Sequence, residues 1–511
     1  MNTRFYSIII AIACLFSCSN DGDIVDAGEG DETFGTDILS LGLVSDAGFV
    51  FEPFLVNDSA IHVCVPNGCD LKKISLSIRH NGYRALVDGF AYENEVLDFS
   101  DFSSPHKLSV VSSDSVVRAR TIAIYDLPVL VINTPNGKDI TSKTEKTEGC
   151  ILSLYNAMGE CDSLGTAGVE GRGNSTWEEP KKPYNIKLDK KREILGMGKS
   201  KHWVLLANAY WDRTQMHNAI AYEMARLTDY PWVQNGQFVE LILNGHHKGL
   251  YYLCEKIRVE EGRIDIKLMN QSDTIDNALN GGYLLETAFA SGENEFQTDI
   301  FNKTHSGNPL YWFIKKPEAP LHPSQLSFIR NELCRLEDLI LNEDSVRTGK
   351  YRELLDIENA INWMLVNEAA GNSETDNPSN LFLYRDKGGK LTFGPPWDFD
   401  AHTFGAYKFH KSYLLRDDFY FYWLLKDPYF VRRLKEKWDT YSAIWYSQIP
   451  LFIDSIHHKI RRSAIRNERM WTSWHPMYSY PEVSYDTIIQ EMKDFFYDHL
   501  DYISVIISSI N

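Results

Sequence analysis

The sequence predicts a multidomain protein, in which an N-terminal β-sandwich precedes an α+β domain of two lobes with a helical C-terminal part. Short alternating apolar runs, separated by Gly, Asn and Pro, fill residues 33–127 and are typical of a small sandwich. From residue 128 onward, strand patterns alternate with helix patterns, and the chain beyond residue 405 is largely helical and aromatic. The 511 residues, of which 43% are hydrophobic, suffice for several packed cores.

The N-terminus predicts an export signal over residues 1–18, followed by an acidic, Gly-containing tether over residues 19–32. Arg4 supplies a positive charge, and Tyr6–Phe16 is an apolar run too short to span a bilayer as a permanent helix. The Leu-Phe-Ser-Cys run ending at Cys18 approximates the lipobox whose cysteine bacteria acylate. We therefore expect a lipid anchor on Cys18, and a plain cleaved secretory signal is the alternative.

Charge and cysteine content restrict the partners. The formal charge of −18 argues against a general nucleic-acid binder but not against a nucleotide ligand, which needs only a local pocket.

Six cysteines follow Cys18: Cys64, Cys69, Cys150, Cys161, Cys254 and Cys334. Cys64 and Cys69 are close enough in sequence to form a disulfide, as are Cys150 and Cys161, and an exported compartment would permit both. The last two lie in apolar runs typical of buried thiols, and no spacing indicates zinc.

The expected elements follow the domain plan. In the sandwich the predicted strands are Ile61–Val65, Lys73–Ile78, Leu108–Val111 and Val116–Ile124. In the second domain, over residues 128–475, the predicted strands are Val129–Asn133, Tyr184–Leu188, Phe238–Leu243, Gly249–Ile257, Leu381–Tyr384 and Lys390–Phe393. The predicted helices are Asp212–Leu227, Pro323–Leu341, Ile357–Ala370, Asp427–Ser447 and Ile449–Glu468, with a C-terminal helix at Tyr485–Ile510 inside residues 476–511. A Gly-rich polar loop is expected at Gly168–Trp177.

The stretch from 370 to 405 carries the most chemistry. Asp376 precedes Asn380 by four residues, a predicted hairpin follows, and a Pro-Pro-Trp bend then delivers Asp398 and Asp400. Carboxylate and amide oxygens are the ligands of a hard divalent cation, and a carboxylate can orient a hydroxyl for attack on a phosphate. The alternative is turn chemistry, helix capping or structural calcium, since Asp, Asn and Pro also favour turns.

Groups suited to a phosphate lie upstream. They are Gly171, Arg172, Gly173, Ser175 and Lys187. Lys182 is the rival of Lys187 for this role. The alternatives are that the Gly-Asn-Ser segment is only a turn, and that Lys181, Lys182 and Lys187 form a solvated strand face.

The order of these elements is kinase-like: Gly-rich loop, strand with Lys, helix, hairpin, helix, catalytic loop and metal-binding Asp. Two departures from ordinary protein kinases stand out. Glu374 and Thr375 occupy the place of the usual His-Arg, and Trp-Asp-Phe-Asp replaces Asp-Phe-Gly.

Four separated motifs resemble one family. They are GRGNSTWEEPKKPYNIKL, WDRTQMHN, ELILNGHHKGLYYLCEKI, and TDNPSNLFLYRD followed by PPWDFD. Over about residues 129–440 they are similar to the CotH family, named for a bacterial spore coat protein and regarded as atypical secreted protein kinases. The sandwich resembles the Ig-like or cadherin-like module that often precedes such domains, and the acidic start resembles surface lipoproteins of Bacteroidetes-type bacteria. The resemblance implies display on the outer membrane.

The resemblance also implies residue roles. Asp376 would accept the proton of a Ser or Thr hydroxyl, and Asn380 and Asp398 would coordinate Mg²⁺ on the nucleotide phosphates. Asp400 would be a second metal ligand or a hydrogen-bond acceptor that fixes the loop.

Other positions leave alternatives open. Glu255 and Glu223 compete to pair with Lys187. Arg213 and Asn218 match family positions, but a scaffolding role at the start of the helix is equally open.

Two functions are therefore expected to compete. The first is a surface kinase that uses ATP and Mg²⁺ or Mn²⁺ to phosphorylate a protein substrate, which could be the protein itself. The second is a lipid-anchored adhesin or glycan-binding module on an inert kinase-like fold. Neither involves nucleic acid. The presence of Asp376, Asn380 and Asp398 in kinase order favours the surface kinase.

Overall fold

The computed structural model describes most of residues 34–510. The described ranges are 34–92, 96–97, 102, 104–208, 211–274, 279–288, 295–298, 311–376, 380–405, 412, 414–415, 419–471 and 483–510. The export signal, Cys18 and the tether lie outside the described residues.

The N-terminal region consists of two sheets that share one core. Its strands are β1 (Ile38–Ser45), β2 (Val50–Phe51), β3 (Pro53–Val56), β4 (Ala60–Cys64), β5 (Ile74–His80), β6 (Arg84–Val87), β7 (Phe90–Ala91), β8 (Val96–Leu97), β9 (His106–Val111) and β10 (Val117–Tyr125). The sheet orders are β2-β1-β5-β8 and β3-β4-β10-β9-β6-β7. Leu43 and Leu76 of one sheet pack with Val63 and Ile122 of the other. The alternating apolar runs of the sequence thus become the inward faces of a two-layer sandwich.

A closed seven-stranded barrel follows. Its elements in chain order are β11 (Val129–Asn133), β12 (Thr147–Tyr155), β13 (Cys161–Gly171), α1 (Ser175–Glu178), β14 (Tyr184–Ile194), β15 (Met197–Leu206), α2 (His217–Arg226), β16 (Gly236–Leu243) and β17 (His246–Glu255). The barrel order is β11-β12-β13-β14-β15-β17-β16, closed by a parallel pair between β16 and β11. As expected, Asn244 (φ 51°) and Gly245 (φ 78°) form the tight turn between β16 and β17.

Two expectations for this region are wrong in their bounds. The first four residues of the Gly-rich stretch belong to β13 and the last three to α1, so the loop proper is only residues 172–174. The helix expected from Asp212 begins at His217. Asp212 instead holds the turn before it, accepting hydrogen bonds from the Thr214 hydroxyl (2.7 Å) and the His217 backbone N–H (3.1 Å).

The remaining chain builds a sheet surrounded by helices. Its strands are β18 (Tyr283–Ala288), β19 (Glu295–Phe296), β20 (Tyr311–Lys316), β21 (Phe382–Arg385) and β22 (Leu391–Phe393), in the order β19-β20-β18-β21-β22. The helices are α3 (Pro323–Leu341), α4 (Glu343–Thr348), α5 (Ile357–Ala370), α6 (Tyr420–Leu424), α7 (Pro428–Trp471) and α8 (Tyr485–Ser509). Both α3 and α5 have the predicted bounds, because Pro323 opens the first and Asp356 and Gly371 cap the second.

The long helix α7 corrects the sequence analysis, which predicted two helices separated before Pro450. Pro450 lies buried inside one helix of 44 residues. We attribute its tolerance to packing along both halves: Trp445 Nε1 donates to the Met224 carbonyl oxygen (3.0 Å), and the Asn467 side chain accepts from the Leu250 N–H (3.2 Å). No helix in the described part of the chain is long and apolar enough to cross a membrane.

Sandwich, barrel and α7 meet at one buried carboxylate. Glu240 of β16 is fully buried and accepts hydrogen bonds from Arg466 and Ser463 of α7 (both 2.5 Å), and it lies 2.7 Å from His247 Nε2. Arg466 also donates to the Ile124 carbonyl oxygen of the sandwich (2.7 Å). These partners hold the pKa of Glu240 well below its usual range despite its burial, Arg466 and His247 being the strongest.

The possibility of disulfides is also corrected. All six cysteines of the described chain are free thiols. Cys150 lies opposite Ala167 and Cys161 lies opposite Tyr155 on the same hairpin. Five residues of strand, roughly 16 Å, therefore separate the two thiols along the ladder.

Removing Arg466 should destabilise the fold strongly. Arg466→Met keeps much of the side-chain bulk but leaves the Glu240 carboxylate buried with a weaker set of partners. We expect a loss of about 3 kcal/mol in the free energy of unfolding, measured by denaturant titration. Arg432→Met, on an exposed part of the same helix, is the control and should cost under about 0.5 kcal/mol. Equal losses for the two variants would contradict the role given to Glu240.

Candidate functional site

The loop that carries Asp376 is held from both sides. Helix α5 ends at Gly371 (φ 62°), and the Asn372 side chain then accepts from the Glu374 N–H (3.1 Å). The Ser373 N–H donates to the His402 carbonyl oxygen (3.4 Å), which ties this turn to the segment after Asp400. Asp376 ends the short 3₁₀ turn that begins at Ser373, and its side chain, like residues 377–379, lies outside the described part.

Asn380 and Asp398 meet directly, as the sequence analysis required of a shared site. The Asn380 side-chain amide donates to Asp398 Oδ2 at 2.6 Å. Both residues have left-handed backbone conformations, φ 64° and φ 67° respectively. Such conformations are unfavourable for most side chains and cluster at functional sites. They turn both side chains from separate loops toward one point.

Helix α2 holds the bend that delivers Asp398. Asn218 Oδ1 accepts from the Phe399 N–H (3.0 Å) and from the Tyr222 hydroxyl (3.1 Å). The Tyr222 ring stacks on the Trp397 ring with centroids 6.3 Å apart. Asn218, left open between a site role and scaffolding, therefore fixes the backbone between the two acidic residues. Arg213, the other family position, pairs with Glu468 of α7 (2.7 Å).

Three carboxyl groups crowd this point. Burial raises the pKa of Asp400 to about 8, with further contributions from Asp398 and Asp212. Burial likewise raises the pKa of Glu374 to about 8, assisted by Asp398 and Asp400. The pKa of Asp398 is also raised by burial, against the attraction of Arg172. Asp400 is buried, whereas Asp398 and Glu374 keep partial exposure. Burial and mutual repulsion therefore oppose the ionisation of these carboxyl groups, and Arg172 offsets this only in part.

Arg172 is the residue of the Gly-rich loop that reaches this site. Its guanidinium lies over the Trp397 ring, 5.3 Å from the centroid. Its charge lowers the pKa of both Asp398 and Asp400 against the effect of burial. The loop after β13 and the Trp-Asp-Phe-Asp segment, separated by more than two hundred residues, are thus neighbours.

We call the carboxyl groups of Glu374, Asp398 and Asp400 the acidic point. A group of basic residues extends from Arg172, which interacts with two of them. Lys256 follows β17, and its pKa falls to about 8 because it is largely buried and faces Arg172, Lys315 and Arg258, against the opposing charge of Glu170. Burial and the nearby Arg258, Lys256, Lys187 and Arg263 charges lower the pKa of His202 to about 3. We call Arg172, Lys187, Lys256, Arg258 and Lys315 the cationic cluster.

Lys187 belongs to this cluster but not to an ion pair with either predicted partner. It lies exposed on the outward face of β14, opposite His202 on β15. Glu255 accepts from the Asn235 N–H (2.9 Å) and lies 3.9 Å from Arg263, while Glu223 pairs with Arg226 (2.8 Å). Neither carboxylate pairs with Lys187 in the described structure, because each is engaged by other partners.

The other predicted phosphate ligands have different surroundings. Lys182 binds the Trp177 carbonyl oxygen and lies over the Trp177 ring, 5.1 Å from the centroid. Gly173 (φ 85°) has no room for a Cβ, which would lie 2.0 Å from Thr176 Oγ1. Ser175 opens the four-residue helix α1 and is exposed. Within the described residues none of the three contacts Glu374, Asp398 or Asp400.

Two lysines were misjudged from sequence. Lys181, expected on a solvated face, is 5% exposed and binds the Ala207 and Leu250 carbonyl oxygens at 2.5 Å. Burial lowers its pKa to about 7. Lys256 was missed altogether. The signal that could have found it is a Lys directly after the end of the strand, in the CEKIR run.

The family comparison agrees with this arrangement. Residues 169–503 match the family model described as CotH kinase protein. The chain belongs to the CotH family. The CotH match starts in β13, just before Arg172, and ends within α8, so it contains the acidic point and the cationic cluster. No curated protein matches the chain.

The donors of the CotH domain fit a divalent cation that is shared with a bound substrate. Within the described residues, no three His, Cys, Asp or Glu side chains converge closely enough to hold a metal alone. Asp398 and Asp400 with the Asn380 amide oxygen offer hard oxygen donors, and Mg²⁺ usually combines one or two carboxylates with substrate oxygens. The raised pKa values of Asp398 and Asp400 are those expected of carboxyl groups that a cation would stabilise in the ionised form.

The pH dependence of stability tests the acidic point. Because the pKa of Asp400 is about 8 when folded and 3.8 ordinarily, its ionisation opposes folding. Its stabilising contribution is complete below about pH 4 and is lost as pH rises toward 8. Asn cannot ionise. Without divalent cations, wild type should therefore lose stability relative to Asp400→Asn between pH 5 and 8, by at most about 1.4 kcal/mol per pH unit. Parallel melting curves over this range would contradict the raised pKa.

Proposed function

We propose that this CotH protein is an atypical protein kinase, which transfers the γ-phosphate of ATP to a Ser or Thr hydroxyl of a protein substrate. Mg²⁺ or Mn²⁺ is the proposed metal. The barrel serves as the small lobe and the helical part as the large lobe of a kinase-like, two-lobed arrangement. Family membership supports the kinase-like character, and the geometry of the site supports the roles of individual residues.

One observation carries the proposal: the 2.6 Å contact between Asn380 and Asp398. The two residues come from the two loops that a kinase uses to hold its metal, and a hairpin of β21 and β22 separates them. Turn chemistry alone accounts for an isolated Asn or Asp, but not for the meeting of the two at left-handed backbone positions.

The cationic cluster supports a polyphosphate ligand. Arg172, Lys256 and Lys315 repel one another, since Arg172 and Lys315 both lower the pKa of Lys256. A nucleoside triphosphate would relieve this repulsion. A metal ion between it and Asp398 would relieve the repulsion between Asp398 and the neighbouring carboxyl groups. Lys256, largely withdrawn from solvent, is the phosphate ligand we favour, with Lys187 at the exposed edge of the same cluster.

Each group then has one task. Arg172 and Lys256 orient the phosphates, while Asn380 and Asp398 hold the metal, which neutralises charge on the transferring group. Asp376 accepts the proton of the substrate hydroxyl as its oxygen attacks the γ-phosphorus and the bond to the leaving diphosphate breaks. Asp400, buried behind Asp398, accepts from the loop or serves as an additional ligand.

Two variants should separate binding from turnover. Asp376→Asn keeps volume and turn chemistry but cannot accept the proton, so phosphate transfer should fall by roughly 10²-fold or more with little change in Mg-ATP affinity. Asp398→Ala should weaken Mg-ATP binding, because the metal loses a carboxylate. Transfer of labelled phosphate to the protein itself or to a generic protein measures the first, and calorimetry measures the second.

Asp338→Asn, on the exposed face of α3, is the matched control and should behave as wild type. Near wild-type transfer by Asp376→Asn would remove this residue from the active site. Equal Mg-ATP affinity in Asp398→Ala and wild type would remove Asp398 from the metal site. Absence of any transfer or Mg-ATP binding by the wild-type protein would favour the adhesin alternative.

We further propose that the protein is an exported lipoprotein of the outer membrane, anchored through Cys18 and surface-exposed, with an Ig-like sandwich between anchor and catalytic domain. The lipobox-like run ending at Cys18 supports this. In the Cys18→Ala variant, produced in a bacterial host with lipoprotein processing, the protein should leave the membrane fraction. Continued sedimentation with membranes would contradict lipid anchoring.

A further inference from the structure

A cavity of about 410 Å³ lies between the sandwich and α7, away from the residues assigned to catalysis. Four arginines of α7 face it: Arg461, Arg462, Arg466 and Arg469. Asp126, at the end of the sandwich, is the one carboxylate among the described lining residues. The wall therefore carries a formal excess of three positive charges.

Arg461 is paired with Asp486 (2.7 Å), which does not line the cavity, whereas the other three arginines are not fully used by the protein. Arg462 donates to the Cys69 carbonyl oxygen (2.8 Å) and lies 3.3 Å from Asp126. Arg466 binds Glu240 and the Ile124 carbonyl oxygen, but its Nε is buried and has no hydrogen-bond partner among the described residues. Arg469 is exposed and forms no ion pair within the described chain. A buried guanidinium N–H without a partner is uncommon and is expected where a ligand oxygen binds.

Apart from Ser104, the rest of the wall is apolar. It includes Leu71, Phe102 and Ile124 of the sandwich and Ile465 and Met470 of α7. A bare inorganic anion would leave this surface unused, whereas an anion with an apolar body would bury it. The volume falls within the range of small-molecule sites, which are often found between domains.

We propose that this cavity binds a small organic carboxylate with an apolar body. The carboxylate lies among Arg462, Arg466 and Arg469, and the body lies against Ile124, Ile465 and Phe102. Because the walls come from both the sandwich and α7, the bound molecule fastens the two together. The site is independent of the proposed phosphate transfer, since it shares no residue with it.

Calorimetry and thermal shift on the full mature chain, with hexanoate and phenylacetate as probes, test the site. Each acid should bind saturably and raise the melting temperature. The matched neutral amides, hexanamide and phenylacetamide, should bind at least about tenfold more weakly, because they lose the charge-assisted hydrogen bonds. Inorganic phosphate should bind more weakly than either acid.

Two variants localise the binding without touching the Glu240 junction. Arg469→Met should weaken both acids about tenfold by removing one cation. Ile465→Phe should abolish binding by filling the cavity, with the unliganded melting temperature showing that it folds. Arg432→Met, elsewhere on the same helix, is the control and should bind as wild type does.

The proposal is overturned if neither acid binds up to about 10 mM, since that is weaker than a built site of this size allows. It is also overturned if the amides or phosphate bind as well as the acids, or if folded Ile465→Phe binds like wild type.

Discussion

The site depends on grouping three carboxyl groups, Glu374, Asp398 and Asp400, whose ionisation is opposed by burial and by their mutual repulsion. Each has a raised pKa because of burial and its acidic neighbours, and Arg172 is the cation that opposes this at Asp398 and Asp400. Such an arrangement is unfavourable by itself. It persists because the surrounding structure fixes the backbone that carries it, and a divalent cation bound with substrate would complete the charge balance.

The groups that fix this backbone connect the Pro-Pro-Trp bend to the long helix α7. Asn218 holds the Phe399 N–H, Tyr222 stacks against Trp397, and both lie on α2. Helix α2 in turn packs on α7, where Trp445 donates to the Met224 carbonyl oxygen. Because Arg466 of α7 binds Glu240 of the barrel, the same helix sets the position of the barrel relative to the acidic point. The distance between the cationic cluster and Asp398 is therefore determined by elements far from either.

Local signals allowed much of this to be predicted. Caps and a proline gave α3 and α5 their ends, Asn244-Gly245 predicted the β16–β17 turn, and the spacing of Asn380 and Asp398 predicted that they share a site. Long-range effects could not be predicted in this way. Closure of the barrel requires β11 to pair with β16, more than a hundred residues away. Pro450 continues a helix because packing on both sides outweighs the lost hydrogen bond, and sequence periodicity does not report packing.

The lysines illustrate the same limit at the level of single side chains. In sequence, Lys181, Lys182, Lys187 and Lys256 are all basic residues next to strands. The fold gives each a different environment: carbonyl oxygens for Lys181, an indole ring for Lys182, solvent for Lys187, and a set of other cations for Lys256. Only the last two belong to the cationic cluster. Repulsion between a lysine and neighbouring cations destabilises the fold, and an anion beside the lysine would relieve that repulsion. The repulsion around Lys256 comes from the assembled barrel rather than from any motif, and the polyphosphate ligand proposed above would relieve it.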